Sequence, residues 1–208
     1  GPYGLIRVAC RVTILPTPLG HESITLRVHN ETARSYNFSD IVRDEFTKRE
    51  LMAVVKRGRG LILIVAPQSQ GKSTLAHSIL KPEFVDGDST VSIENPIEIT
   101  NDYIQQFAFD PTGKTAQTAS EYLRGLLQST HFTVFVGETK EPELARDVFE
   151  ACEAGTRVMT TLHAHSAVEA FQRFAGLGIS HVALAQQIAI VIGTRLIDAV
   201  CPACAVSD

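Results

Sequence analysis

A loop that ends in Gly-Lys-Ser-Thr carries the clearest chemical signal in the chain. An apolar run over residues 60–65 leads into this loop, and a helical pattern continues after it over residues 75–80. This order is typical of a nucleoside triphosphate site, because successive backbone N–H groups and the helix N-terminus surround the phosphates. We predict that Lys72 reaches the β- and γ-phosphates of ATP and that Ser73 ligates Mg²⁺. The predicted phosphate loop consists of Gln68, Ser69, Gln70, Gly71, Lys72, Ser73 and Thr74.

The phosphate loop departs from the usual pattern at two positions. Ala66 stands where the pattern opens with glycine, and Gln70 stands where a small residue is common. The strand before the loop and the helix after it still favour a nucleotide site over a chance occurrence of these letters. We expect Ala66 to affect the rate of the reaction and not whether nucleotide binds.

Acidic and histidine side chains follow three other predicted strands. Glu94 and His163 each come directly after a predicted strand, and Glu138 follows another one after a single glycine. Because the carboxyl ends of parallel strands meet at one edge of a sheet, we expect these side chains to lie near the phosphates. One carboxylate can activate water, a second can hold Mg²⁺ through its water shell, and a histidine can contact the γ-phosphate. Glu98 lies on the loop after Glu94 and is an alternative to it.

The elements that must position these groups alternate in type. Upstream of the loop, Ser39 or Asp40 is predicted to begin one helix that runs through Val55. Strands are then predicted at residues 61–65, 90–94, 132–136 and 157–162, and helices at residues 72–81, 116–128, 142–154, 166–175 and 181–188. This alternation predicts an α/β fold with a mostly parallel sheet and helices on both faces.

Two β-rich segments precede the alternating region. Residues 5–14 and 23–29 are rich in β-branched residues, and prolines and a glycine between them favour a turn. Two strands are too few to fold alone. We therefore interpret residues 1–36 as the end of a preceding domain with its linker, and residues 37–208 as the nucleotide-binding domain.

Composition and charge narrow the class of protein. The chain has 208 residues, 44% of them apolar and 20% charged, and a net charge of -4 at pH 7. These values are ordinary for a soluble globular protein and give no general attraction to nucleic acid or anionic lipid. No apolar run approaches the roughly 18 residues of a membrane span, and no signal peptide is recognisable. The cytoplasm is therefore the expected compartment.

The four cysteines do not suggest a secreted disulfide framework. Cys201 and Cys204 form one CxxC pair, which supplies two of the four ligands that a structural zinc needs, so we expect no bound zinc. Cys10 and Cys152 are better interpreted as packed thiols.

Four ordered motifs resemble those of the secretion superfamily ATPases, the motors of type IV pili and of type II and type IV secretion. They are the phosphate loop, an acidic box at residues 93–98, a Walker B-like segment at residues 134–138 and a histidine box at residues 155–167. The resemblance covers about residues 57–204 and implies a RecA-like P-loop NTPase fold. By this resemblance Glu94 would be the catalytic base, Glu138 the Walker B acid that holds Mg²⁺ through water, and His163 the phosphate sensor.

The resemblance also implies partners and a location. It implies a homo-hexameric ring in the cytoplasm, peripheral to the bacterial inner membrane through a pilus or secretion platform protein, without nucleic acid. In this family a PAS-like N-terminal domain supplies arginines to the neighbouring nucleotide. Arg7 and Arg27 lie on the matching strands, with Arg11 as a further candidate. Asn95 stands where the acidic box usually has aspartate, and Thr156 stands where many members have a second histidine.

Other functions also fit a phosphate loop. A regulatory module that binds ATP with little turnover is supported by Ala66 and Asn95. A small-molecule kinase should have clustered arginines in its lid, whereas residues 100–130 contain only Arg124. The acidic balance disfavours DNA translocation. Within the resembled family, the motor could extend a pilus, retract it or drive secretion.

Overall fold

The computed structural model describes residues 9–29, 36–81, 90–114, 116–128 and 133–198. Its strands are β1 (Ala9–Pro16), β2 (Glu22–His29), β3 (Gly60–Ala66), β4 (Thr90–Glu94), β5 (Gln105–Ala108), β6 (Thr133–Glu138), β7 (Arg157–His163) and β8 (Ile188–Gly193). Its helices are α1 (Phe38–Ile41), α2 (Glu45–Lys56), α3 (Lys72–Ile79), α4 (Ala119–Leu127), α5 (Pro142–Glu153), α6 (Ala167–Gly176) and α7 (His181–Gln187). Among these residues no helix is long and apolar enough to cross a bilayer.

Six strands form one sheet in the order β5-β4-β6-β7-β3-β8. Every neighbouring pair in this sheet runs parallel. The central strand β3 is buried along its whole length, as expected of a strand that is covered on both faces. The predicted α/β fold with a mostly parallel sheet is therefore confirmed.

Alternate residues of β3 face two separate hydrophobic cores. Leu61, Leu63 and Val65 pack into a core that contains residues from α4, α5, α6 and α7. Ile62 and Ile64 face the opposite core, which contains residues from α1, α2 and α3. The helices therefore cover both faces of the sheet, in agreement with the prediction.

Two strands of the sheet are absent from the sequence prediction. The edge strand β5 has four residues and a partly exposed, polar beginning at Gln105 and Gln106, so it lacks an apolar run. Strand β8 follows α7 with no intervening loop, because Gln187 ends the helix and Ile188 begins the strand. Pairing with β4 makes the β5 segment a strand despite its polar pattern. The β8 segment is rich in isoleucine and valine, a strand signal that the sequence prediction missed.

The single helix predicted to run through Val55 is wrong, because the segment forms two helices. The first, α1, ends at Ile41, and Val42 has an extended backbone with φ -103° and ψ 103°. The second begins after Asp44, whose carboxylate accepts a hydrogen bond of 2.7 Å from the Thr47 N–H. Asp44 is therefore the N-cap that divides the segment, and neither Ser39 nor Asp40 begins a continuous helix.

The strands β1 and β2 form a separate antiparallel hairpin. Its turn contains Gly20 at φ +78°, and the Gly20 N–H donates to the Thr17 carbonyl at 3.0 Å. Val12 lies opposite Leu26, and all of the large apolar side chains that the structure describes on the hairpin are exposed. The β structure expected upstream of residue 36 is therefore present, whereas its origin as part of a preceding domain stays a prediction.

The cysteines are described in part. Cys152 on α5 is a free thiol in the core, and burial raises its pKa to about 12. Its interpretation as a packed thiol is confirmed. Cys10 lies on β1, but its side chain is not described, and Cys201 and Cys204 lie outside the described residues.

Candidate functional site

A cavity of about 550 Å³ lies at the carboxyl ends of β3, β4, β6 and β7. All seven residues of the phosphate loop line it, and Glu94, Glu98, Glu138 and His163 line it as well. The fold therefore brings together the groups that the sequence placed at separate strand ends. Cavities of this size are large enough for a small-molecule ligand.

The predicted arginines cannot be placed in this site. Arg7 lies outside the described residues, and the side chains of Arg11 and Arg27 are not described, although their backbones pair with each other across the β1–β2 hairpin. Their roles stay predictions.

Two residues of the phosphate loop have left-handed backbones. Gly71, the N-cap of α3, has φ +79°, which glycine adopts without steric cost. Ser69 has φ +59° although it is not a glycine, a conformation that costs an L-residue roughly 1–2 kcal/mol. Ala66, by contrast, is the last residue of β3 and pairs with His163 in the sheet. Its extended backbone does not require the glycine that the usual pattern has there.

Gln70 ties the phosphate loop to the chain that follows β8. The Leu196 N–H donates to Gln70 Oε1 at 2.8 Å, and the Thr194 hydroxyl donates to the Gln70 carbonyl at 2.8 Å. The Thr194 N–H in turn donates to the Val65 carbonyl at 3.0 Å. The longer side chain at this position therefore has a structural use that the loop sequence alone did not indicate.

Lys72 lies almost fully buried at the start of α3, with 8% of its surface exposed. Its Nζ donates to the carbonyls of Ala66 at 3.1 Å and Pro67 at 2.9 Å, and lies 3.2 Å from Nδ1 of His163. Burial lowers the pKa of Lys72, while the negative charges of Glu138 and Glu98 act in the opposite direction. The cation is thus held beside the loop at the expense of its hydration.

The contact with Lys72 fixes the roles of the two ring nitrogens of His163. A lysine ammonium group has donors only, so Nδ1 of His163 must accept. Nε2 then carries the ring proton and faces Oε1 of Glu138 at 3.5 Å. These contacts connect Lys72, His163 and Glu138 into one polar chain along the wall of the cavity.

Glu94 and Glu98 occupy different environments at the end of β4. Glu94 is 4% exposed and is surrounded by hydrogen-bond partners, whereas Glu98 is exposed and its Oε2 lies 3.5 Å from the Ser73 hydroxyl. Glu94 Oε1 accepts from Ser92 Oγ at 2.7 Å and from Gln106 Nε2 at 3.2 Å. Glu94 Oε2 lies 3.1 Å from Nε2 of His77.

The partners of Glu94 were not found by sequence reasoning. Gln106 lies on the unpredicted strand β5, and Ser92 looked like an ordinary strand residue. His77 carried a usable signal, because it lies four residues after Ser73, where a helix presents both side chains on one face.

The oxygen groups of the site fit Mg²⁺. The Ser73 hydroxyl lies next to the Glu98 carboxylate, and Glu138 lines the same cavity. Mg²⁺ prefers oxygen ligands, keeps several waters, and is usually held by few protein groups together with substrate phosphates. Ser73, Glu98 and Glu138 could hold the ion in that way.

A family model described as type II/IV secretion system protein matches residues 5–208. The chain belongs to this family. The type II secretion system protein E of Dickeya dadantii is 30% identical to this chain over 194 residues, which are 93% of the chain and 38% of the relative. The type IV pilus assembly ATPase PilB of Pseudomonas aeruginosa is 28% identical over 194 residues, 93% of the chain and 34% of the relative. The chain therefore spans well under half the length of these relatives.

Solved structures share the fold of this chain. The ATPase DotB of Legionella pneumophila matches with a TM-score of 0.76 at 21% identity, over 92% of the chain and 55% of DotB. The pilus retraction motor PilT with bound ADP matches with a TM-score of 0.71 at 20% identity, over 90% of the chain and 59% of PilT. The family match confirms the resemblance to the secretion superfamily ATPases, and the structural matches confirm the RecA-like fold that it implied.

Proposed function

We propose that this chain is the ATP-hydrolysing part of a motor subunit that powers type IV pilus assembly or retraction, or protein secretion. One observation carries the proposal: a single cavity joins the Gly-Lys-Ser-Thr loop to Glu94, Glu138 and His163. Membership of the type II/IV secretion family supports the assignment, as do relatives named type II secretion system protein E and pilus assembly ATPase PilB.

The proposed reaction is attack of water on the γ-phosphate of ATP. The phosphates lie against the loop N–H groups and the N-terminus of α3, where Lys72 supplies positive charge. Glu94 orients the attacking water and accepts its proton, and His163 contacts the γ-phosphate. Ser73, and Glu138 through water, would hold Mg²⁺, which would supply positive charge to offset that of the β- and γ-phosphates.

The assembly belongs to the same proposal. The chain acts in a homo-hexamer, in which residues 1–36 end a PAS-like domain and residues 37–208 form the motor domain. Arg7 and Arg27 supply positive charge to the nucleotide of a neighbouring subunit. The ring works in the cytoplasm and reaches the inner membrane only through a pilus or secretion platform protein. The net charge of -4 is consistent with the absence of nucleic acid from this scheme.

Single-turnover hydrolysis of Mg-ATP tests the enzyme assignment. We expect turnover by the parent chain and a loss of about 10²- to 10⁴-fold in Glu94→Gln, the contribution of one general base, with ATP binding retained. Glu98→Gln is the control that shows which of Glu94 and Glu98 acts as the base. Binding without turnover in the parent would show a regulatory ATP-binding module instead, and a larger loss in Glu98→Gln would move the base to Glu98.

Light scattering during size-exclusion chromatography tests the ring. We expect the mass of a hexamer in the presence of a non-hydrolysable ATP analogue. A strictly monomeric chain under all nucleotide conditions contradicts the proposed assembly and the roles of Arg7 and Arg27.

A further inference from the structure

The side chain that contacts Glu94 from the phosphate-loop helix is His77. We propose that His77 is a positioning residue that fixes Glu94 relative to the phosphate loop, and this proposal rests on the role given to Glu94 above. His77 and Glu94 lie 17 residues apart in sequence, and their Nε2 and Oε2 atoms are 3.1 Å apart. Both side chains are buried, with His77 2% and Glu94 4% exposed.

The direction of this hydrogen bond follows from the surroundings of the ring. A buried carboxylate needs donors, and Nε2 of His77 is the group that faces Oε2. Nδ1 of His77 is buried and has no hydrogen-bond partner among the residues that the structure describes. In the Nε2–H tautomer, the ring proton is donated to Glu94 and Nδ1 is an unprotonated acceptor. In the Nδ1–H tautomer, the ring proton would be buried without a partner. We therefore assign the Nε2–H tautomer to His77.

The ring and the other partners of Glu94 are themselves held in place. The His77 ring meets Phe135 of β6 edge to face, with centroids 5.5 Å apart. The Gln106 amide donates to the Ile99 carbonyl at 2.9 Å, and its oxygen accepts from the Asn101 N–H at 2.9 Å. The amide orientation is thus determined, and its remaining N–H points to Glu94. Ser92, Gln106 and His77 therefore each donate a hydrogen bond to the Glu94 carboxylate.

The strand order shows why the contact between His77 and Glu94 matters for the position of Glu94. Strand β4 is separated from the phosphate-loop strand β3 by both β6 and β7. No backbone ladder therefore joins the acid directly to the loop. Helix α3 carries Lys72 and Ser73 at its start and His77 one turn later. The His77–Glu94 bond connects the helix that binds the phosphates to the strand that carries the proposed base.

Kinetics with matched variants test the positioning role. His77→Phe keeps a ring against Phe135 and removes the donor, His77→Gln keeps an N–H donor, and Ser78→Ala is the control. Ser78 is buried on the same helix and donates only to the Leu75 carbonyl at 2.7 Å. Because a displacement near 1 Å costs about 10²-fold in rate, we expect kcat to fall about 10- to 100-fold in His77→Phe. ATP affinity should stay within about twofold, and His77→Gln should recover most of the rate.

A double-mutant cycle asks whether His77 acts through Glu94. In the Glu94→Gln background, His77→Phe should lower the residual single-turnover rate by no more than about twofold, because the group to be positioned is already lost. The same factor in both backgrounds overturns the proposal. It is also overturned if His77→Phe behaves like Ser78→Ala, if His77→Gln is as slow as His77→Phe, or if affinity falls in step with rate.

A spectroscopic measurement tests the hydrogen bond between His77 and Glu94 independently of ATP hydrolysis. In ¹⁵N-detected imidazole correlation spectra, His77 should appear as the Nε2–H tautomer, and Glu94→Leu should shift its ring resonances. An Nδ1–H tautomer excludes donation to Glu94 and overturns the proposal even if the chain hydrolyses ATP. Conversely, an inactive parent chain with the expected tautomer refutes the proposed function and leaves the His77–Glu94 hydrogen bond established.

Discussion

Replacing Lys72 with methionine should separate nucleotide binding from stability. Methionine retains an apolar stem of similar length and removes the cation. Hydrogen bonds to charged groups contribute about 1.5–3 kcal/mol, so the dissociation constant for ATP should rise about 10- to 150-fold at 1.4 kcal/mol per factor of ten. The free energy of unfolding should not fall by a comparable amount, because Lys72 is buried beside the loop with 8% exposure and burial lowers its pKa.

The pH dependence of the free energy of unfolding shows whether the buried ammonium group of Lys72 lowers the stability of the folded chain. Since the Lys72 pKa lies below its ordinary value of 10.5 in the folded state, the unfolded chain binds more protons between the folded pKa and 10.5. The contribution of this group to stability therefore rises with pH across that window. Any gain in stability from Lys72→Met should be largest below the folded pKa and should shrink as the pH approaches about 10.

Fluorescent-nucleotide titrations and urea unfolding at neutral pH and at about pH 10 measure both effects. Lys81→Met is the matched control, because Lys81 is 7% exposed, donates to Asn37 Oδ1 at 2.9 Å, and does not line the nucleotide cavity. Lys81→Met should lower the free energy of unfolding by about 1 kcal/mol and leave the affinity for ATP unchanged. ATP binding by Lys72→Met as tight as that of the parent, or a loss of stability as large as that of Lys81→Met, would refute the role given to Lys72.

Three further expectations concern the loop, a helix pair and the buried thiol. Because Ser69 has φ +59°, Ser69→Gly should keep ATP affinity within about threefold while β-branched Ser69→Val weakens it about tenfold or more in the same titration. Arg124→Ala removes the donor to the Asp147 carboxylate, which is 4% exposed and has one oxygen without a hydrogen-bond partner in the described part of the chain. It should lower the free energy of unfolding by about 1–3 kcal/mol, against less than about 1 kcal/mol for Glu143→Ala, the exposed partner; equal losses in urea melts refute this difference. Cys152, with its pKa raised to about 12, should resist iodoacetamide in the folded chain and react after unfolding, as followed by site-resolved mass spectrometry.

The sequence by itself determined the class of fold and most of the lining of the cavity. Apolar strands alternating with amphipathic helices specify a parallel sheet, and the carboxyl ends of such strands meet at one edge. Glu94, Glu138 and His163 could therefore be placed beside Lys72 without knowledge of strand order. Their placement depends only on local pattern and on which end of each strand a residue follows.

The tertiary structure alone decided which of these side chains touch. Local pattern gave no sign of β5, because a short polar edge strand becomes a strand by pairing with its neighbour. The β-branched run of β8 did carry a strand signal, and the sequence prediction missed it. The contacts of Gln70 with Leu196, 126 residues away, and of His77 with Glu94 across two intervening strands follow from strand order and helix placement. Hydrogen bonds between side chains require positions accurate to a few tenths of an ångström. Periodicity fixes the face on which a residue lies, and only packing of the whole domain fixes its distance from a partner.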